Sequence, residues 1–466
     1  MILPSCIKVF TLSPNKFSEL AVLDYPYSMH SAEMINSDLF FSLKTIIKVK
    51  SDRQGRELLL KWHINRIITK GYKMYNAVDL FAGVGGLSLG LKMAGITSEV
   101  AVEFDDTCAD ALLFNFPNTQ VIHEDIKAVS ASQIQDMLGE GTELDILAGG
   151  PPCQGFSLIG LRDPNDERSR LVFEFIRLAQ ELKPKFIMLE NVPGILSSQK
   201  GAFIEEVVQL FKKAGYLIRL PIQVLSAANF GVPQDRRRAF ILGVREDIGV
   251  LPDYPEATHL NPRDVKKAKL KGLADSFPNL PTSPNVMEAI EDLPNIDIYP
   301  HLVESDEVEY CKPPVSGYAK MMRGVSQSAY SGLPKNNWDG TICSGSRRTV
   351  HGEVLTKRFI EAKQGDTVPV SRLFKLREDC VANTLRAGTP RERGAYSAPR
   401  PVHPHLPRVV SVREGARLQS FPDWHRFHKT KWHGFRQVGN AVPPLLARAV
   451  ALEIKKTLDS LELNRS

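Results

Sequence analysis

The chain has 466 residues, of which 43% are hydrophobic and 24% are charged, and its formal net charge is +6. This composition is typical of an ordinary soluble globular protein and predicts two to three domains. The first residues lack the basic start and apolar run of a secretory signal, and no stretch approaches the ~20 apolar residues of a membrane-spanning helix. We therefore expect a cytoplasmic protein without membrane contact. The mild basic excess permits a polyanionic partner but does not require one.

The cysteines indicate reduced thiols and not a metal site. They are Cys6, Cys108, Cys153, Cys311, Cys343 and Cys380. No pair stands at C-x-x-C spacing and none has a nearby histidine pair, so no structural zinc site is expected. Cysteines scattered through a long chain are typical of intracellular proteins.

From about Asn76, short β-rich runs alternate with helical stretches. The predicted strands are 77–81, 99–104, 120–125, 144–149 and 185–191, and the predicted helices end near residues 95, 116, 183 and 215. This alternation predicts an α/β fold with a parallel sheet and helices on both faces. Two further β-like runs, 222–225 and 239–244, have no helix between them. We expect them to close the sheet edge as a mixed, partly antiparallel pair.

The character of the chain changes after the last of these strands. Residues 260–400 are rich in proline, glycine, asparagine, serine and charge, and their weak periodicity predicts a second, irregular domain. Helical patterns return at 411–421 and at 443–463. We therefore predict four parts: 1–73, 74–258, 259–400 and 401–466. The role of the first part is unknown, the second is the α/β domain, and the last returns to the α/β domain.

Polar residues at the first three strand ends predict an adenosyl ligand. The first strand is followed by a glycine turn, DLFAGVGG, that contains Gly83 and Gly85. No Lys-Ser/Thr follows, and Ser88 stands where the dinucleotide fingerprint has its third glycine. Glu103, at the second strand end, suits both hydroxyls of a ribose, and Asp125, at the third, suits an adenine amino group. Each feature alone is also explained by a plain turn or a solvated acid.

The fourth and fifth strand ends carry a thiol and a carboxyl. In GGPPCQGFS, Pro151 and Pro152 stiffen the backbone that presents Cys153. Such rigid placement suits a nucleophile, although an unreactive loop thiol would look the same. Glu190 ends the fifth strand beside it and could keep or deliver a proton. Alternate residues of the following QDRRR run, 234–238, can converge on one site, or the run can be a solvated basic segment.

Taken in order, these motifs resemble the cytosine-C5 DNA methyltransferases. The matching stretches are DLFAGVGG, PPCQGFS, ENV, QDRRR, VREGARLQSFPD (412–423) and QVGNAVPP (437–444), and the resemblance covers about 76–457. It implies a Rossmann-like S-adenosylmethionine-dependent methyltransferase fold, with a mixed, mostly parallel sheet. It also implies that 74–258 is the catalytic and cofactor-binding domain and that 259–400 is a smaller, irregular target-recognition domain.

The resemblance also implies roles for individual residues. Cys153 would be the nucleophile and Glu190 would meet the N3 edge of cytosine, while Arg236 and Arg238 would hold the base and help to lower the thiol pKa. The implied donor-binding residues are Phe81, Gly83, Gly85, Leu87, Glu103, Asp125, Ile126, Pro151, Leu171, Asn440 and Val442. The implied DNA-binding residues are Gln154, Ser157, Gln234, Thr384 and Arg386, with Arg347, Arg348, Arg391 and Arg393 as further candidates for phosphate or guanine contacts.

These roles predict methylation of cytosine in double-stranded DNA. Addition of a thiolate at C6 would make C5 nucleophilic toward the methyl group of S-adenosylmethionine, with no metal. The base must be flipped out of the duplex for this chemistry, and residues 154–170 would form a loop that closes over the DNA. We expect a monomer that acts as the modification half of a restriction-modification pair.

Three alternatives stay open from the sequence. The acceptor could be tRNA, although the large irregular segment favours duplex DNA. The chain could be a catalytically silent DNA-binding protein, although it has the full set of candidate catalytic residues. A nicotinamide oxidoreductase is the third alternative, and Ser88 and the PPC loop count against it.

Overall fold

The computed structural model describes residues 74–152, 171–270, 278–336, 338–389 and 398–464. These residues lie within one compact unit, 62–466. Several sequence predictions fall outside the described residues: Cys153, Gln154, Ser157, the loop 154–170, Arg391, Arg393 and the whole of 1–73.

The centre of the molecule is an eight-stranded mixed sheet. Its strands are β1 (Tyr75–Leu80), β2 (Ile96–Glu103), β3 (Gln120–His123), β4 (Ile146–Gly149), β5 (Phe186–Asn191), β6 (Tyr216–Ile218), β7 (Gln223–Ser226) and β9 (Arg237–Arg245). The order is β3-β2-β1-β4-β5-β9-β6, and β7 also pairs with β9. The first five strands are parallel, whereas β9 is antiparallel to β5, β6 and β7. The predicted fold class is confirmed, including the antiparallel closure by the last two predicted strands.

Four short strands and the helices complete the described structure. The short strands are β8 (Gln234–Asp235), β10 (Val308–Glu309), β11 (Ile342–Cys343) and β12 (Ala382–Asn383). The helices are α1 (Gly86–Met93), α2 (Asp106–Asn115), α3 (Ala131–Leu138), α4 (Leu171–Leu182), α5 (Ala202–Lys213), α6 (Pro262–Leu270), α7 (Val286–Ile290), α8 (Gly317–Met322), α9 (Glu353–Glu361), α10 (Val412–Leu418), α11 (Lys431–Asn440) and α12 (Pro444–Leu463). In this described part, no helix combines the length and the apolar character needed to cross a membrane.

Local sequence explains where several helices begin. Asp105 precedes α2, and its side chain accepts hydrogen bonds from the N–H groups of Thr107 and Cys108. Ser411 and Glu414 form a reciprocal capping box at the start of α10. Such side chains satisfy N–H groups that have no partner within the helix. The "VREGARL" stretch is therefore helical because of its cap, although its charged residues are buried.

The central sheet separates two hydrophobic cores because side chains alternate along each strand. Val78 and Leu80 of β1 belong to a core with Phe175 of α4 and Phe211 of α5. The neighbouring Ala77 faces the other core, to which α1 and α12 contribute. The C-terminal helix α12 thus packs on the sheet beside β1.

Two glycines allow α1 and α12 to approach closely. A Cβ placed on Gly86 would come within 2.3 Å of the carbonyl oxygen of Val442, and one on Gly90 would come within 2.3 Å of the Cβ of Ala447. Neither distance is sterically possible. Gly86 and Gly90 are four residues apart and lie on one face of α1, so the face is kept free of side chains for the partner helix.

A third core joins the α/β part to the later residues. It contains Leu89 and Phe116 together with Ile290, Tyr330 and Phe421. Hydrophobic packing is therefore continuous across the boundaries predicted at 258/259 and 400/401, and the division into domains stays a prediction.

Candidate active site

The glycine turn and Glu103 form a cradle at the ends of β1 and β2. The N–H of Gly83 donates to Oε2 of Glu103 at 2.7 Å, and the N–H groups of Phe104 and Asp105 donate to Oε1 at 3.0 and 2.8 Å. Gly83 has φ +58° and a Cβ placed there would meet no atom of the described chain within 4 Å, so open space lies beside the turn. Phe81 also has a positive φ of 60°. A left-handed conformation is rare outside glycine and occurs most often at functional sites.

Asp79 lies buried beneath this turn. Ser88 Oγ donates to its Oδ2 at 2.5 Å, while its Oδ1 has no hydrogen-bond partner among the described residues. Burial raises the pKa of Asp79 to about 7. A buried polar atom without a partner is unusual in a folded protein and indicates a group that meets a ligand or water.

The predicted donor-binding residues lie on both sides of the sheet. Phe81, Ile126 and Leu171 pack against the core that contains α4, whereas Leu87 and Val442 belong to the core between α1 and α12. Asp125 is partly exposed and its Oδ1 accepts the N–H of Lys127 at 3.0 Å. Asn440 is exposed at the end of α11, and Pro151 is buried directly after β4. Gly85 faces the ring of Phe116, which leaves no room for a side chain at that position.

Two residues that the sequence did not single out support the cradle. Arg177 of α4 donates to the carbonyl oxygens of Ile126 and Val129, at 3.2 and 2.9 Å, and so holds the loop after β3. The sequence gives no sign of this role, because the spacing of Arg177 to Glu174 and Glu181 is typical of ordinary ion pairs on a helix surface. His425 is buried, and burial lowers its pKa to about 3. Nε2 of the neutral ring lies 3.0 Å from the carbonyl oxygen of Val84 in the glycine turn. A carbonyl oxygen can only accept a hydrogen bond, so Nε2 carries the proton and donates it.

Glu190 and Arg238 form the buried charge pair of the site. Arg238 Nε donates to Oε1 of Glu190 at 2.7 Å, and both side chains are about nine-tenths buried. Burial raises the pKa of the Glu190 carboxyl, and the charges of Arg238 and Arg236 act in the opposite direction. The pKa of this carboxyl therefore lies above its ordinary value, a shift that is common among acid and base groups of active sites.

The backbone before Cys153 is fixed against this pair. A Cβ on Gly150 would lie 3.1 Å from Oε2 of Glu190, so glycine lets the chain pass close to the carboxyl. Asn191 Nδ2 donates to the carbonyl oxygen of Pro151 at 3.1 Å. The neighbouring ends of β4 and β5 are therefore tied together where the described residues stop at Pro152.

The three alternate residues of the QDRRR run, for which the sequence left convergence on one site open, make different hydrogen bonds. Arg238 meets Glu190, whereas Arg236 donates to the carbonyl oxygens of Leu385 and Gly439, at 3.1 and 3.0 Å. Gln234 is fully buried, and it accepts the N–H of Leu385 and donates to the carbonyl oxygen of Leu418. The sequence predicted a DNA contact for Gln234, but its amide is occupied within the protein. The strand is interrupted between β8 and β9, so the period of two does not extend over all three residues.

The segment around Leu385 is held by this arrangement. β12 pairs in parallel with β8, which places Ala382 opposite Gln234. Leu385 is buried, whereas its neighbours Thr384 and Arg386 are exposed. Thr384 Oγ1 also donates to the carbonyl oxygen of Asp235 at 2.8 Å. The structure therefore brings Thr384 and Arg386 to the surface beside β8.

The upstream arginine candidates have structural contacts. Arg347 Nε donates to the carbonyl oxygen of Val303 at 2.9 Å, and Arg348 Nη1 donates to that of Asp297 at 3.2 Å. Arg348 is partly buried. Both guanidinium groups hold neighbouring segments of the chain together.

The sequence profile of the C-5 cytosine-specific DNA methylase family matches residues 75–456. The chain belongs to this family. It is 43% identical over 384 residues to the type II methyltransferase M.XorII of Xanthomonas oryzae pv. oryzae, covering 82% of this chain and 84% of that protein. It is 31% identical over 432 residues to the type II methyltransferase M.AgeI of Thalassovita gelatinovora, covering 81% and 98%.

A solved structure agrees with this family membership. A chain described as a prophage-encoded DNA modification methyltransferase of E. coli superposes with a TM-score of 0.66 at 30% identity, over 83% of this chain and 99% of that one. The predicted family and enzyme class are confirmed: the protein is a DNA (cytosine-5-)methyltransferase. Among the described residues of this C-5 cytosine methylase, no group of three or more metal-ligating side chains comes together.

Proposed function

We propose that this enzyme transfers a methyl group from S-adenosylmethionine to C5 of a cytosine within a specific double-stranded DNA sequence. The observation that carries the proposal is the buried Glu190–Arg238 pair, which lies directly beside the backbone leading into Cys153. A rival acceptor such as tRNA would use the same chemistry. The type II relatives named above favour DNA, and they favour a role in protecting DNA from a cognate restriction endonuclease.

The cradle at the first three strand ends fits the donor. The open space beside Gly83, the carboxylate of Glu103 and the unpartnered oxygen of Asp79 lie close together in the fold. Glu103 would accept the ribose hydroxyls, Asp125 would accept the adenine amino group, and Phe81 would line the pocket. When bound, S-adenosylmethionine supplies an electrophilic methyl group.

Cys153 and Glu190 would activate the cytosine. The thiolate of Cys153 would form a bond to C6 while Glu190 gives a proton to N3. The electron pair at C5 would then take the methyl group as its bond to the donor sulfur breaks, and S-adenosylhomocysteine would leave. Loss of the C5 proton to water would expel the thiolate and restore the aromatic ring, and N3 would return its proton to Glu190. Because stacking blocks the ring face in a duplex, the base must first leave the helix. Burial raises the pKa of Glu190, which favours its protonated form, and the hydrogen bond from Arg238 fixes the direction of its carboxyl.

Bisulfite sequencing of DNA from cells that express the enzyme tests this function. We expect 5-methylcytosine in one sequence context, and none in cells that express Cys153→Ala. Tritiated-methyl transfer to purified duplex DNA and to tRNA, measured in parallel, separates the two acceptors. Transfer to tRNA alone, or unchanged transfer by Cys153→Ala, would overturn the proposal.

A further inference from the structure

The helix α6 (Pro262–Leu270) follows shortly after a residue, Leu260, that pairs with a later part of the chain. Leu260 pairs with Thr282, and the N–H of Ser283 donates to the carbonyl oxygen of Leu260. No residue of α6 is buried. Since most helices are stabilised by packing an apolar face, a helix with no buried residue needs other contacts to hold it and leaves much of its surface to solvent.

The start of α6 is anchored to β8, which precedes Arg236, and to the β12 region, which precedes Leu385. Asn261 Nδ2 donates to Oδ1 of Asp235 at 3.2 Å, and Asp235 stands between Gln234 and Arg236. Arg263 donates to the carbonyl oxygen of Val381 at 2.9 Å and to the side-chain oxygen of Asn383, which precedes Thr384. The first turn of α6 is therefore fixed directly beside the active site.

The rest of the helix is strongly basic. Lys266, Lys267 and Lys269 are all exposed. The single acid of α6, Asp264, meets Arg237 at 3.4 Å. A further carboxylate, that of Asp379, acts on Lys266 electrostatically but is already paired with Arg377 at 2.7 Å. The local excess of positive charge therefore faces solvent.

We propose that α6 binds the phosphate backbone of duplex DNA beside the target cytosine through Lys266, Lys267 and Lys269. This inference rests on the proposed function, and it adds a DNA-binding surface that the family motifs do not contain. Lysines act as flexible point charges, so they suit contacts with phosphates that do not depend on sequence. Exposed Thr384 and Arg386 lie next to the anchored end of α6, so the surface continues that of the recognition segment.

The test compares two variants of the full-length enzyme. In one, Lys266, Lys267 and Lys269 are changed to glutamine. In the matched control, Lys212 and Lys213 are changed to glutamine, because these exposed lysines end α5 shortly before Tyr216, which pairs with the end of β9 that is distant from Arg237. The affinity of each for a 30-base-pair duplex of random sequence is measured by fluorescence anisotropy over a series of NaCl concentrations. Phosphate contacts do not depend on sequence, so the recognition sequence is not needed.

We expect the triple variant to bind the duplex about tenfold more weakly. The slope of log affinity against log salt should fall by about 0.9 for each phosphate that a lysine no longer neutralises. The control should match the unaltered enzyme, and all three should have the same melting temperature because α6 buries no side chain.

Equal slopes for the triple variant and the control would overturn the proposal. Loss of binding to phosphatidylglycerol vesicles without a change in duplex binding would overturn it as well. Methyl transfer by the unaltered enzyme, measured in parallel, separates this outcome from failure of the proposed function itself.

Discussion

Glu190 shows how position and burial give a common residue a special role. Its place at the end of the fifth strand was readable from the sequence, because the apolar run KFIMLEN ends there. The sequence could not show which arginine pairs with Glu190. Arg236 and Arg238 stand in the same run, and the Glu190 carboxyl forms its ion pair with Arg238. The DNA contact that the resemblance implied for Gln234 stays a prediction, and the sequence could not show that its amide is hydrogen-bonded to Leu385 and Leu418.

Glu190→Gln should lower the rate of methyl transfer by about 10²-fold or more, because the amide cannot donate a proton to N3 as an acid does. Donor affinity, measured by calorimetry, should be retained, since Glu190 lies outside the glycine cradle. Glu143→Gln is the matched control. Glu143 also pairs with an arginine, Arg245, at 2.8 Å, but it lies before the start of β4, whereas Glu190 lies at the end of the neighbouring parallel strand β5. Near-normal methyl transfer by Glu190→Gln would contradict the role given to this carboxyl.

Asp79 makes the stability of the fold depend on pH. Its pKa is raised by burial to about 7, from the ordinary value of 3.8. Between these two values the folded state holds a proton that the unfolded state has released, so this group lowers the free energy of unfolding as pH rises from about 4 to about 7. Asp79→Asn removes the effect. We therefore expect denaturant unfolding to show that Asp79→Asn is more stable, relative to the unaltered enzyme, at pH 8 than at pH 5. If the free energies of unfolding of the two proteins differ equally at both pH values, Asp79 does not have this effect.

At the scale of elements, the sequence was informative where strands and helices are long. All five parallel strands and the last helix lie close to their predicted positions, because each has a clear apolar pattern. Strand β6 was missed because three residues are too few to show a period. The pairing of β12 with β8 was missed because its two pairs join residues almost 150 positions apart, and tertiary contacts alone decide it.

Gly90→Ala tests the close contact between α1 and α12. Alanine favours a helix over glycine by about 1 kcal/mol, but here its Cβ would overlap Ala447, and overpacking costs about 1–3 kcal/mol. We expect the free energy of unfolding to fall in denaturant titrations. Gly317→Ala, at the open start of α8, provides the control and should be neutral or slightly stabilising. A stabilised Gly90→Ala protein would show that the helices are not in such close contact.

At the scale of the whole molecule, buried charges connect the last part of the chain, 401–466, to the preceding segment, 259–400. Arg417 of α10 pairs with Asp292 at 2.7 Å and with Asp423 at 2.7 Å, and all three are buried. The sequence marked the "VREGARLQSFPD" stretch through its resemblance to a family motif. It could not show this network, because charged residues are ordinarily expected at the surface.

Arg417→Met should destabilise the fold by about 3–5 kcal/mol, because it takes from two buried carboxylates, Asp292 and Asp423, the cation that is closest to each of them. Lys357→Met is the control, since the exposed pair of Lys357 with Glu361 should contribute less than about 1 kcal/mol. Thermal and denaturant unfolding of both variants check the difference. Equal destabilisation by the two substitutions would show that the Arg417 network does not hold the molecule together.

The central claim is that Cys153 forms a transient bond to a cytosine that has left the duplex, and one trapping measurement tests it most directly. Long duplex DNA synthesised with 5-fluorodeoxycytidine carries every recognition sequence, and its fluorine blocks the final loss of the group at C5. With S-adenosylmethionine present, peptide mapping by mass spectrometry should find a covalent DNA adduct at Cys153. An enzyme that methylates ordinary DNA yet forms no adduct, or forms one at another residue, would contradict the account.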